Sequence, residues 1–330
     1  MKILIFEYST CVGKDNLISE GYGILKSILN DFEYIDGYDV DYLITNNIDL
    51  DFIEKSRRII LEENLISWLE SNASKYDYCL FVAPEDDYIQ FRITKILEDN
   101  KVKLFTSNSN ASYICCSKIL TYKKVNPKIL KIPTITVNVD DYNINLIKDK
   151  INFTQVICKP DSYTSSNYIF HTTKDNIEEI IDNYKNNNIK KMLIQEYIPG
   201  DAISISAIVN KTNINILSIN SQIIRKNNGK LHYTGCVSPI KHPQEKKIKE
   251  ISKKIIKSIP GLNGFIGIDF IINNKDIYFV EINSRITTPY IVLSKISDKN
   301  LTEYLIESVM EDNKMKKIHF NKKGDFYNEQ

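Results

Sequence analysis

The sequence lacks both an excess of charge and a long apolar run, and each absence excludes a class of protein. Its 43 basic and 42 acidic side chains nearly cancel, so no broad positive field is available to hold a nucleic-acid backbone. The basic stretch 246–257 carries isoleucines at helical spacing and is better explained as the solvent face of an amphipathic helix. No apolar stretch approaches the ~20 residues that a membrane helix needs, and the N-terminal apolar run is too short for a signal peptide. We therefore expect a soluble cytoplasmic protein that binds neither nucleic acid nor membrane.

Cysteine and histidine patterns that hold structural metals are also missing. None of the six cysteines forms a C-x-x-C pair or lies at ligand spacing from a histidine, which argues against structural zinc and a disulfide framework. The adjacent pair Cys115 and Cys116 could be redox-active, but small semi-buried thiols are the simpler interpretation. The four histidines lie in unrelated contexts, and we assign none of them as a catalytic base.

A chain of 330 residues is longer than one hydrophobic core usually supports, so we expect two or more packed units that share a cleft. Over the first hundred residues short apolar strands alternate with helical patterns, an order typical of a parallel sheet with helices on both faces. This order predicts an N-terminal α/β unit over residues 1–106. The charged tail, which begins near Glu311 and includes residues 319–330, is expected to fray. The sequence fixes no oligomeric state, and a homo-oligomer stays open.

The strongest signal is a β-hairpin between residues 264 and 285, where two apolar runs flank a polar turn. If the turn centres on Lys275, two-residue alternation places Asp269 opposite Glu281, with Asn283 further along the same face. Cross-strand neighbours lie only ~4.5–5.5 Å apart, so two ionised carboxylates there require a cation between them. Carboxylate and amide oxygens suit Mg²⁺ or Mn²⁺, and Mg²⁺ commonly completes its shell with water and substrate phosphates. The hairpin therefore predicts a metal site that acts on a nucleoside triphosphate.

The alternative is an ordinary hairpin whose polar residues face water. Its apolar residues argue against that interpretation, because Ile271, Ile277 and Phe279 are expected to share the face of the two carboxylates. The other face is expected to be buried and carries Ile266, Ile268, Phe270 and Ile272. A surface strand would rarely have apolar residues on both faces, so the pattern favours carboxylates that are set among apolar neighbours.

Two lysines and an arginine supply the positive charge that a triphosphate requires. Lys159 follows an apolar strand and precedes Pro160, and because a buried cation requires an anion, phosphate binding is a better interpretation than a solvated lysine. Lys118 lies on a predicted helix, and taken alone its position favours neither interpretation. Arg285 lies four residues beyond Glu281 and is better placed to meet a phosphoryl oxygen than merely to pair with that carboxylate.

These elements, in this order along the chain, resemble the ATP-grasp superfamily of carboxylate-amine ligases. The resemblance implies an α/β and α+β chain with an ATP-grasp fold, in which two β-rich lobes, 107–195 and 196–318, follow the N-terminal unit and clamp ATP. By similarity, Lys118 and Lys159 would neutralise phosphate oxygens. Arg285 would steady the transferred phosphoryl group, which makes Arg285 and Lys159 the implied catalytic residues. The other implied ligands are Glu196 and the backbone of Tyr197 and Ile198 for adenine, Asp201 for the ribose, and Asp269, Glu281 and Asn283 for Mg²⁺ or Mn²⁺.

A closer set of motifs resembles the archaeal tyramine:L-glutamate ligases of methanofuran biosynthesis. The motifs are Phe6-Glu-Tyr8, Glu20-Gly21, Ala83-Pro-Glu85, Cys116-Ser-Lys118 and Glu281-Ile-Asn-Ser-Arg-Ile-Thr-Thr288. That family joins the γ-carboxylate of glutamate to the amine of tyramine, which implies an ATP-dependent reaction through an acyl phosphate, with release of ADP and phosphate. Two features, a loop and a single residue, depart from the pattern. Thr164, Ser165 and Ser166 replace a usually glycine-rich phosphate loop, and Ser117 replaces a common aspartate.

Segments expected to border the cleft carry the candidate substrate residues, which are Glu7, Tyr8, Glu20, Glu85, Gln222, Arg225, Tyr233 and Arg285. An amino acid requires a cation for its α-carboxylate and an anion for its ammonium group, which Arg225 and either Glu20 or Glu85 could supply. Tyr8 or Tyr233 could stack on a phenol ring. Another amide-forming ligase of the same fold, or a module that binds nucleotide without catalysis, stays open as an alternative.

Overall fold

The computed structural model describes residues 1–13, 18–50, 53–163, 168–311 and 315–328. The N-terminal part of this described chain forms a parallel sheet of the strands β1 (Lys2–Glu7), β2 (Asp39–Ile44), β3 (Arg57–Ile60), β4 (Tyr78–Val82) and β5 (Lys103–Leu104). The strand order is β3-β2-β1-β4-β5, and each neighbouring pair is parallel. The predicted parallel sheet is therefore confirmed, and its carboxyl edge carries the segments after β1 and β4.

Helices cover both faces of this sheet because apolar residues point alternately to each side of the strands. The helices are α1 (Tyr8–Val12), α2 (Ile18–Phe32), α3 (Leu65–Asn72) and α4 (Ile89–Asp99). On β1, Ile3 and Ile5 pack with α2, whereas Leu4 and Phe6 pack with α3 and α4. All four side chains are at most 1% exposed, so β1 lies at the centre of the unit.

The remainder of the described chain contains a ten-stranded sheet whose neighbouring strands are antiparallel. Its strands are β6 (Thr134–Asn138), β7 (Gln155–Pro160), β8 (Phe170–Thr173), β9 (Lys191–Glu196), β10 (Asp201–Val209), β11 (Ile214–Asn227), β12 (Lys230–Ser238), β13 (Gly264–Asn273), β14 (Asp276–Asn283) and β15 (Gly324–Tyr327). The order is β14-β13-β10-β11-β12-β8-β7-β9-β6, and β15 pairs with β12.

Two lobes share this sheet, a smaller lobe from β6 to β9 and a larger lobe from β10 to β15. Between them the described chain has one strand contact, where Lys230 near the start of β12 lies opposite Phe170 of β8. Two further backbone hydrogen bonds flank that contact: Leu231 donates to Ile169 at 3.0 Å and His171 donates to Gly229 at 2.7 Å. The two lobes are therefore joined by a short junction beside the cleft that separates them.

The two lobes have separate hydrophobic cores, and the helices that pack on each core show which segments belong to each lobe. The helices are α5 (Ser109–Cys115), α6 (Lys118–Lys124), α7 (Ile144–Lys150), α8 (Ile177–Asn186), α9 (Glu245–Lys257), α10 (Pro289–Ile296) and α11 (Leu301–Met310). α7 and α8 pack on the smaller lobe, whereas α5 and α9 pack on β10, β13 and β14 of the larger lobe. The segment from residue 107 was predicted to belong to the smaller lobe, but its apolar side chains are buried in the larger one.

Helix α9 confirms the interpretation of the basic stretch. Ile248, Ile255 and Ile256 are buried against the sheet, and most of the lysines lie on the exposed side. No helix in the described ranges is both long and apolar enough to cross a membrane.

The C-terminal tail does not fray over the part that the structure describes. Residues Gly324–Tyr327 form β15 beside β12, and Phe326 packs against Cys236, Val292 and Ile296. Gly235 permits this pairing, since it has φ +154° and a Cβ there would lie 2.1 Å from the carbonyl oxygen of Phe326. The prediction of a frayed tail was wrong because alternate residues of this charged segment bury apolar surface.

We expect Asp31 to lower the stability of the fold as the pH rises toward neutrality. Its carboxylate on α2 accepts hydrogen bonds from the N–H and hydroxyl of Thr302, at 3.0 and 2.7 Å, and burial raises the pKa of Asp31 to about 6. The folded protein thus holds this proton more tightly than the unfolded chain. Its stabilising contribution is full below about pH 4 and is lost as the pH rises through about 6.

The variant Asp31→Asn tests this expectation. It should remove a part of the pH dependence on the order of 2 kcal/mol, measured by urea unfolding at several pH values between about 4 and 7. If wild type and variant lose stability in parallel over that range, another group is responsible.

Candidate active site

The hairpin of β13 and β14 brings the two predicted metal carboxylates together. Asp269 lies directly opposite Glu281, and Asn283 lies opposite Gly267, so the predicted register is confirmed. Asn283 follows Glu281 by two residues and shares its face of the strand. Three side chains with oxygen donors therefore lie over one region of the sheet.

The turn of this hairpin differs from the predicted one, and a β-bulge compensates for the difference. Asn273 pairs with Asp276, so the loop consists of the two residues between them, and Val280 is skipped in the pairing with β13. The bulge moves Ile277 and Phe279 to the opposite face, where they pack in the core. The prediction that these two side chains share the face of the carboxylates was wrong, although the carboxylate pairing was right.

Electrostatics at the pair favour an additional cation. Burial, together with the charge of Glu281, raises the pKa of Asp269 to about 8. Burial also opposes ionisation of Glu281, but Lys118, Lys159 and Arg285 outweigh it and hold the pKa of Glu281 below its ordinary value. The two carboxylates can both be charged only when a further positive charge lies beside them.

The donor set fits a divalent metal ion that prefers oxygen. Two carboxylates and an amide oxygen are ligands that Mg²⁺ and Mn²⁺ accept, with other positions left to water or phosphate. In the described ranges no group of three or more His, Cys, Asp or Glu side chains could hold a metal, so Asn283 is the natural third protein ligand. The side chain of Gln222 hydrogen-bonds to Asp269 and orients that carboxylate.

Lys118 and Lys159 approach the carboxylates from different elements. Lys118, the first residue of α6, has its Nζ 3.6 Å from Glu281 Oε2 and donates to the Tyr163 carbonyl at 2.8 Å. Lys159 on β7 is 3% exposed. Burial lowers the pKa of Lys159 to about 8, while the charges of Glu281 and Asp269 act in the opposite direction. Both ammonium groups thus lie where they can neutralise anionic oxygens.

The space between the lobes is small in this structure. A cavity of about 10 Å³, close to the volume of one water molecule, is lined by Glu85, Cys115, Lys118, Thr121, Tyr163, Glu281, Ile282 and Asn283. A triphosphate needs more room than this cavity provides. The predicted phosphate-loop residues Thr164, Ser165 and Ser166 lie outside the described residues.

Arg285 is held by an ion pair that joins the N-terminal unit to the larger lobe. Its Nε and Nη2 donate to the two carboxylate oxygens of Glu85 at 2.9 and 3.0 Å, and its Nη1 donates to the carbonyl of Ile286 at 3.1 Å. The side chains of Arg285 and Glu85 are 14% and 5% exposed. Glu85 was predicted as a partner for a substrate ammonium group, but both of its oxygens face Arg285. The structure gives it a different role, which is to orient the guanidinium.

Glu20, Tyr233 and Thr288 converge from three elements near Arg285. Glu20 on α2 accepts a hydrogen bond from the hydroxyl of Thr288, and Thr288 also hydrogen-bonds to Tyr233 on β12. Glu20 is close enough to Arg285 for their charges to interact. The structure therefore brings two predicted substrate residues together. It adds Thr288, whose only sequence signal was its place at the end of the motif that begins at Glu281.

Glu7 and Tyr8 lie at the carboxyl end of β1. The carboxylate of Glu7 accepts hydrogen bonds from the N–H groups of Ser9 and Thr10 at 3.0 and 2.8 Å and so caps α1. Burial raises the pKa of Glu7 to about 7. Tyr8 packs against the core between the sheet and α3 and α4. Glu7 therefore has a structural role in addition to any contact with substrate.

Gly21→Ala is expected to displace Glu7 and weaken α1. A Cβ at Gly21 would lie 2.1 Å from Glu7 Oε2, so the carboxylate must leave the N–H groups that it caps. Loss of these hydrogen bonds should lower the free energy of unfolding by ~1–3 kcal/mol, measured by urea unfolding. Gly23→Ala is the control, since its Cβ would meet the flexible end of Ile291 at 2.8 Å instead of a carboxylate. Equal losses in both variants would contradict the role given to Glu7.

Arg225 lies apart from these residues. It is exposed near the tip of the hairpin of β11 and β12, opposite His232. Gln222, which contacts Asp269, lies three residues earlier, so strand alternation places Arg225 on the other face of β11. The structure therefore does not support the prediction that Arg225 binds a substrate carboxylate.

The predicted adenine residues lie on the connection between β9 and β10. The N–H of Tyr197 donates to the carbonyl of Gln155 at 3.0 Å. Because that donor is already bonded, Ile198 supplies the remaining backbone N–H of the predicted pair. Glu196 is half-buried at the end of β9, and Asp201 is exposed at the start of β10.

A parallel α/β unit, followed by two antiparallel lobes with lysines and paired carboxylates at their junction, defines the ATP-grasp class of folds. The chain belongs to the ATP-grasp family, because the profile described as ATP-grasp domain matches residues 115–289. The family and fold expected from the order of motifs are thereby confirmed.

Comparison with known proteins gives relatives over nearly the whole chain. The chain is 32% identical to a tyramine–L-glutamate ligase of Methanocaldococcus jannaschii, over 98% of this chain and 92% of that protein. Among solved structures, a putative ATP-grasp superfamily protein from Archaeoglobus fulgidus has a TM-score of 0.70 and 22% identity, with 93% of this chain and 88% of that one covered. N5-carboxyaminoimidazole synthetase from Staphylococcus aureus, in complex with ADP, has a TM-score of 0.76 and 16% identity, with 99% and 82% covered. The two solved structures support the fold alone.

Proposed function

We propose that this protein is an ATP-dependent ligase that joins the γ-carboxylate of L-glutamate to the amine of tyramine and releases ADP and phosphate. The observation that carries the reaction class is the carboxylate pair Asp269 and Glu281 facing Lys118 and Lys159, with Arg285 nearby. The choice of substrates is supported by the near-complete coverage of a relative named for that reaction. A reaction that consumes ATP and free amino acid belongs in the cytoplasm.

The proposed chemistry passes through an acyl phosphate. A carboxylate oxygen of glutamate attacks the γ-phosphorus, the bond to the β-phosphate oxygen breaks, and ADP leaves. The ammonium group of tyramine gives one proton to water, and its amine nitrogen then attacks the activated carbonyl carbon. The bond to the phosphate oxygen breaks, and inorganic phosphate leaves as a second proton is lost from the nitrogen. Catalysis of both steps depends chiefly on positioning and on neutralising charge.

The charged residues of the cleft divide this work. Lys118 and Lys159 would contact phosphate oxygens, and Arg285, held by Glu85, would contact the transferred phosphoryl group. A Mg²⁺ or Mn²⁺ ion bound by Asp269, Glu281 and Asn283 would supply Lewis-acid stabilisation of the phosphate charge. Because Glu281 already balances Lys118 at 3.6 Å, an incoming phosphate would take over part of that role for the lysine.

The proposal extends to the contacts of the nucleotide and to the division of the chain into lobes. We propose that adenine is held by Glu196 and the backbone N–H of Ile198, with Asp201 near the ribose. Separate cores support an N-terminal unit up to residue 106 and a smaller lobe from β6 to β9, and we propose that this lobe closes over the nucleotide. Packing supports placing α5 and α6, which were predicted to belong to the smaller lobe, with the larger lobe.

Acidic side chains on the substrate side support an ammonium-bearing substrate. Glu7 and Glu20 are close enough for their charges to interact, and Glu20 is also close enough to Arg285 for the two charges to attract each other. The guanidinium of Arg285 is already paired with Glu85. Glutamate and tyramine each carry an ammonium group, which such acidic side chains attract.

The deciding experiment follows phosphate release from ATP and Mg²⁺ with L-glutamate, in the presence and absence of tyramine, and identifies the product by mass. Release that needs both substrates, with a γ-glutamyl amide as product, is the expected result. L-Aspartate and phenethylamine serve as matched controls. L-Aspartate has a side chain one methylene shorter than that of L-glutamate, and phenethylamine lacks the phenol hydroxyl of tyramine. If phosphate release requires a different amino acid instead of L-glutamate, or a different amine instead of tyramine, the substrate assignment is wrong. If no pair of substrates gives release, the proposal of ligase activity is wrong.

A further inference from the structure

Asp161 is a buried carboxylate that none of the roles above uses. It follows the last residue of β7, two positions after Lys159, and is 7% exposed. The single hydroxyl proton of Ser117 is shared between the two carboxylate oxygens of Asp161, each 2.9 Å from Ser117 Oγ, and Oδ1 also accepts from the N–H of Ile119 at 2.9 Å. A buried carboxylate with donors on two neighbouring residues is held in one orientation.

The backbone of Asp161 is fixed as firmly as its side chain. Its N–H donates to the carbonyl of Lys191 at 3.0 Å, and its carbonyl accepts from the N–H of Lys118 at 3.1 Å. One residue therefore ties the exit of β7 to β9 on one side and to the first turn of α6 on the other. This contact crosses from the smaller lobe to a helix that leads into the core of the larger lobe.

Asp161 and Ser117 together cap α6. Ser117 is the N-cap residue and its hydroxyl oxygen accepts from the N–H of Leu120 at 3.1 Å, while Asp161 satisfies the N–H of Ile119. The helix begins at Lys118. The cap thus sets the direction in which the Lys118 side chain leaves the helix.

Lys118 and Lys159 require a fixed link between their backbones, because they lie on separate elements and their charges repel each other. The charge of Lys118 opposes ionisation of Lys159, so without a fixed support the two ammonium groups would separate. Their backbones are linked through Asp161, which is bonded to the N–H of Lys118 and follows Lys159 by two residues.

We propose that Asp161 is a positioning residue that fixes Lys118 relative to Lys159, so that both ammonium groups meet the same phosphate chain. The proposal rests on the nucleotide site proposed above and adds to it a residue whose carboxylate is bonded to Ser117 and Ile119. It predicts that loss of Asp161 weakens the binding of ATP more than it weakens the fold.

The hydrogen bond between Ser117 and Asp161 suggests a test by exchange. Aspartate is as good an N-cap residue as serine, so Ser117→Asp combined with Asp161→Ser keeps one carboxylate and one hydroxyl at the same place. Ser117→Asp alone places two carboxylates at hydrogen-bond distance, where they repel each other. Asp161→Ala alone removes the carboxylate.

Calorimetric titration of each variant with ATP and Mg²⁺ measures the relevant affinity without any turnover. We expect both single variants to bind ATP about tenfold more weakly than wild type, the effect of losing one orienting cap, and the exchanged variant to recover most of the affinity. Asn143→Ala is the matched control. Asn143 caps α7 in the smaller lobe through Asn145 and Leu146 at 3.0 and 3.1 Å, and its loss should lower the unfolding temperature without weakening ATP binding.

An exchanged variant that stays as weak as the single variants overturns the proposal, as does an equal loss of ATP affinity in Asn143→Ala. If Asp161→Ala fails to fold, Ser117→Asp and the exchanged variant still decide the question. Wild-type ATP binding without any ligase product would overturn the proposed reaction and leave this inference intact, so the two failures are distinguishable.

Discussion

Asp269→Asn is expected to reduce ATP-dependent phosphate release by roughly a hundred- to a thousandfold, while the folded protein becomes no less stable in metal-free buffer. Asp269 is buried beside Glu281, and this environment raises its pKa to about 8. A neutral amide of the same shape removes the repulsion between two carboxylates and keeps an oxygen for Gln222. It also removes one of the two anionic ligands on which the proposed metal site depends. Activity and stability should therefore change in opposite directions.

Asp276→Asn is the matched control for this variant. Asp276 lies on the same hairpin, exposed and opposite Asn273 at the turn, so its loss should leave both properties near those of wild type. Coupled detection of ADP measures the activity, and thermal unfolding with and without Mn²⁺ measures whether a metal still stabilises the fold. If Asp269→Asn keeps more than about a tenth of the activity, or is stabilised by Mn²⁺ as strongly as wild type, Asp269 is not a metal ligand.

The pairing of the two carboxylates in this hairpin could be predicted from the sequence, but the turn and the β-bulge that produce this pairing could not. Alternation of apolar residues placed Asp269 opposite Glu281, which is what the structure shows. The two-residue loop and the bulge at Val280 shift the strands in opposite senses, so the two effects cancel at the carboxylates and do not cancel at Ile277 and Phe279. A pattern with a period of two residues carries no information about a single skipped residue.

Partners that are distant along the chain were the second kind of feature that the sequence could not supply. Arg285 and Glu85 are separated by 200 positions, and Ser117 and Asp161 by 44. The sequence did not indicate that these residues are partners, because an ion pair or a shared helix cap produces no periodic pattern along the chain. The frayed tail was predicted from charge alone, whereas Phe326 is half-buried because its strand pairs with the edge of a strand that only the fold provides.

Glu85→Leu should destabilise the protein strongly, and removal of Arg285 in the same chain should restore stability without restoring activity. The single variant leaves a guanidinium that is largely buried and has lost its carboxylate partner, which costs about 3–5 kcal/mol. In the double variant with Arg285→Leu no unpaired charge remains, so most of that loss should be recovered. Phosphate release should stay low in both variants because neither holds a guanidinium in the orientation that Glu85 imposes at 2.9 and 3.0 Å.

The exposed pair Glu307 and Lys316, at 3.0 Å, provides the control for this cycle. Glu307→Ala should change the free energy of unfolding by less than about 1 kcal/mol, because water solvates the lysine that is left. Urea unfolding measures the stabilities, and ADP release measures the activity. A double variant as unstable as Glu85→Leu would mean that Glu85 acts through packing and not through Arg285. A double variant with wild-type activity would show that Arg285 is not catalytic. The buried ion pair between the N-terminal unit and the larger lobe would then have no catalytic purpose.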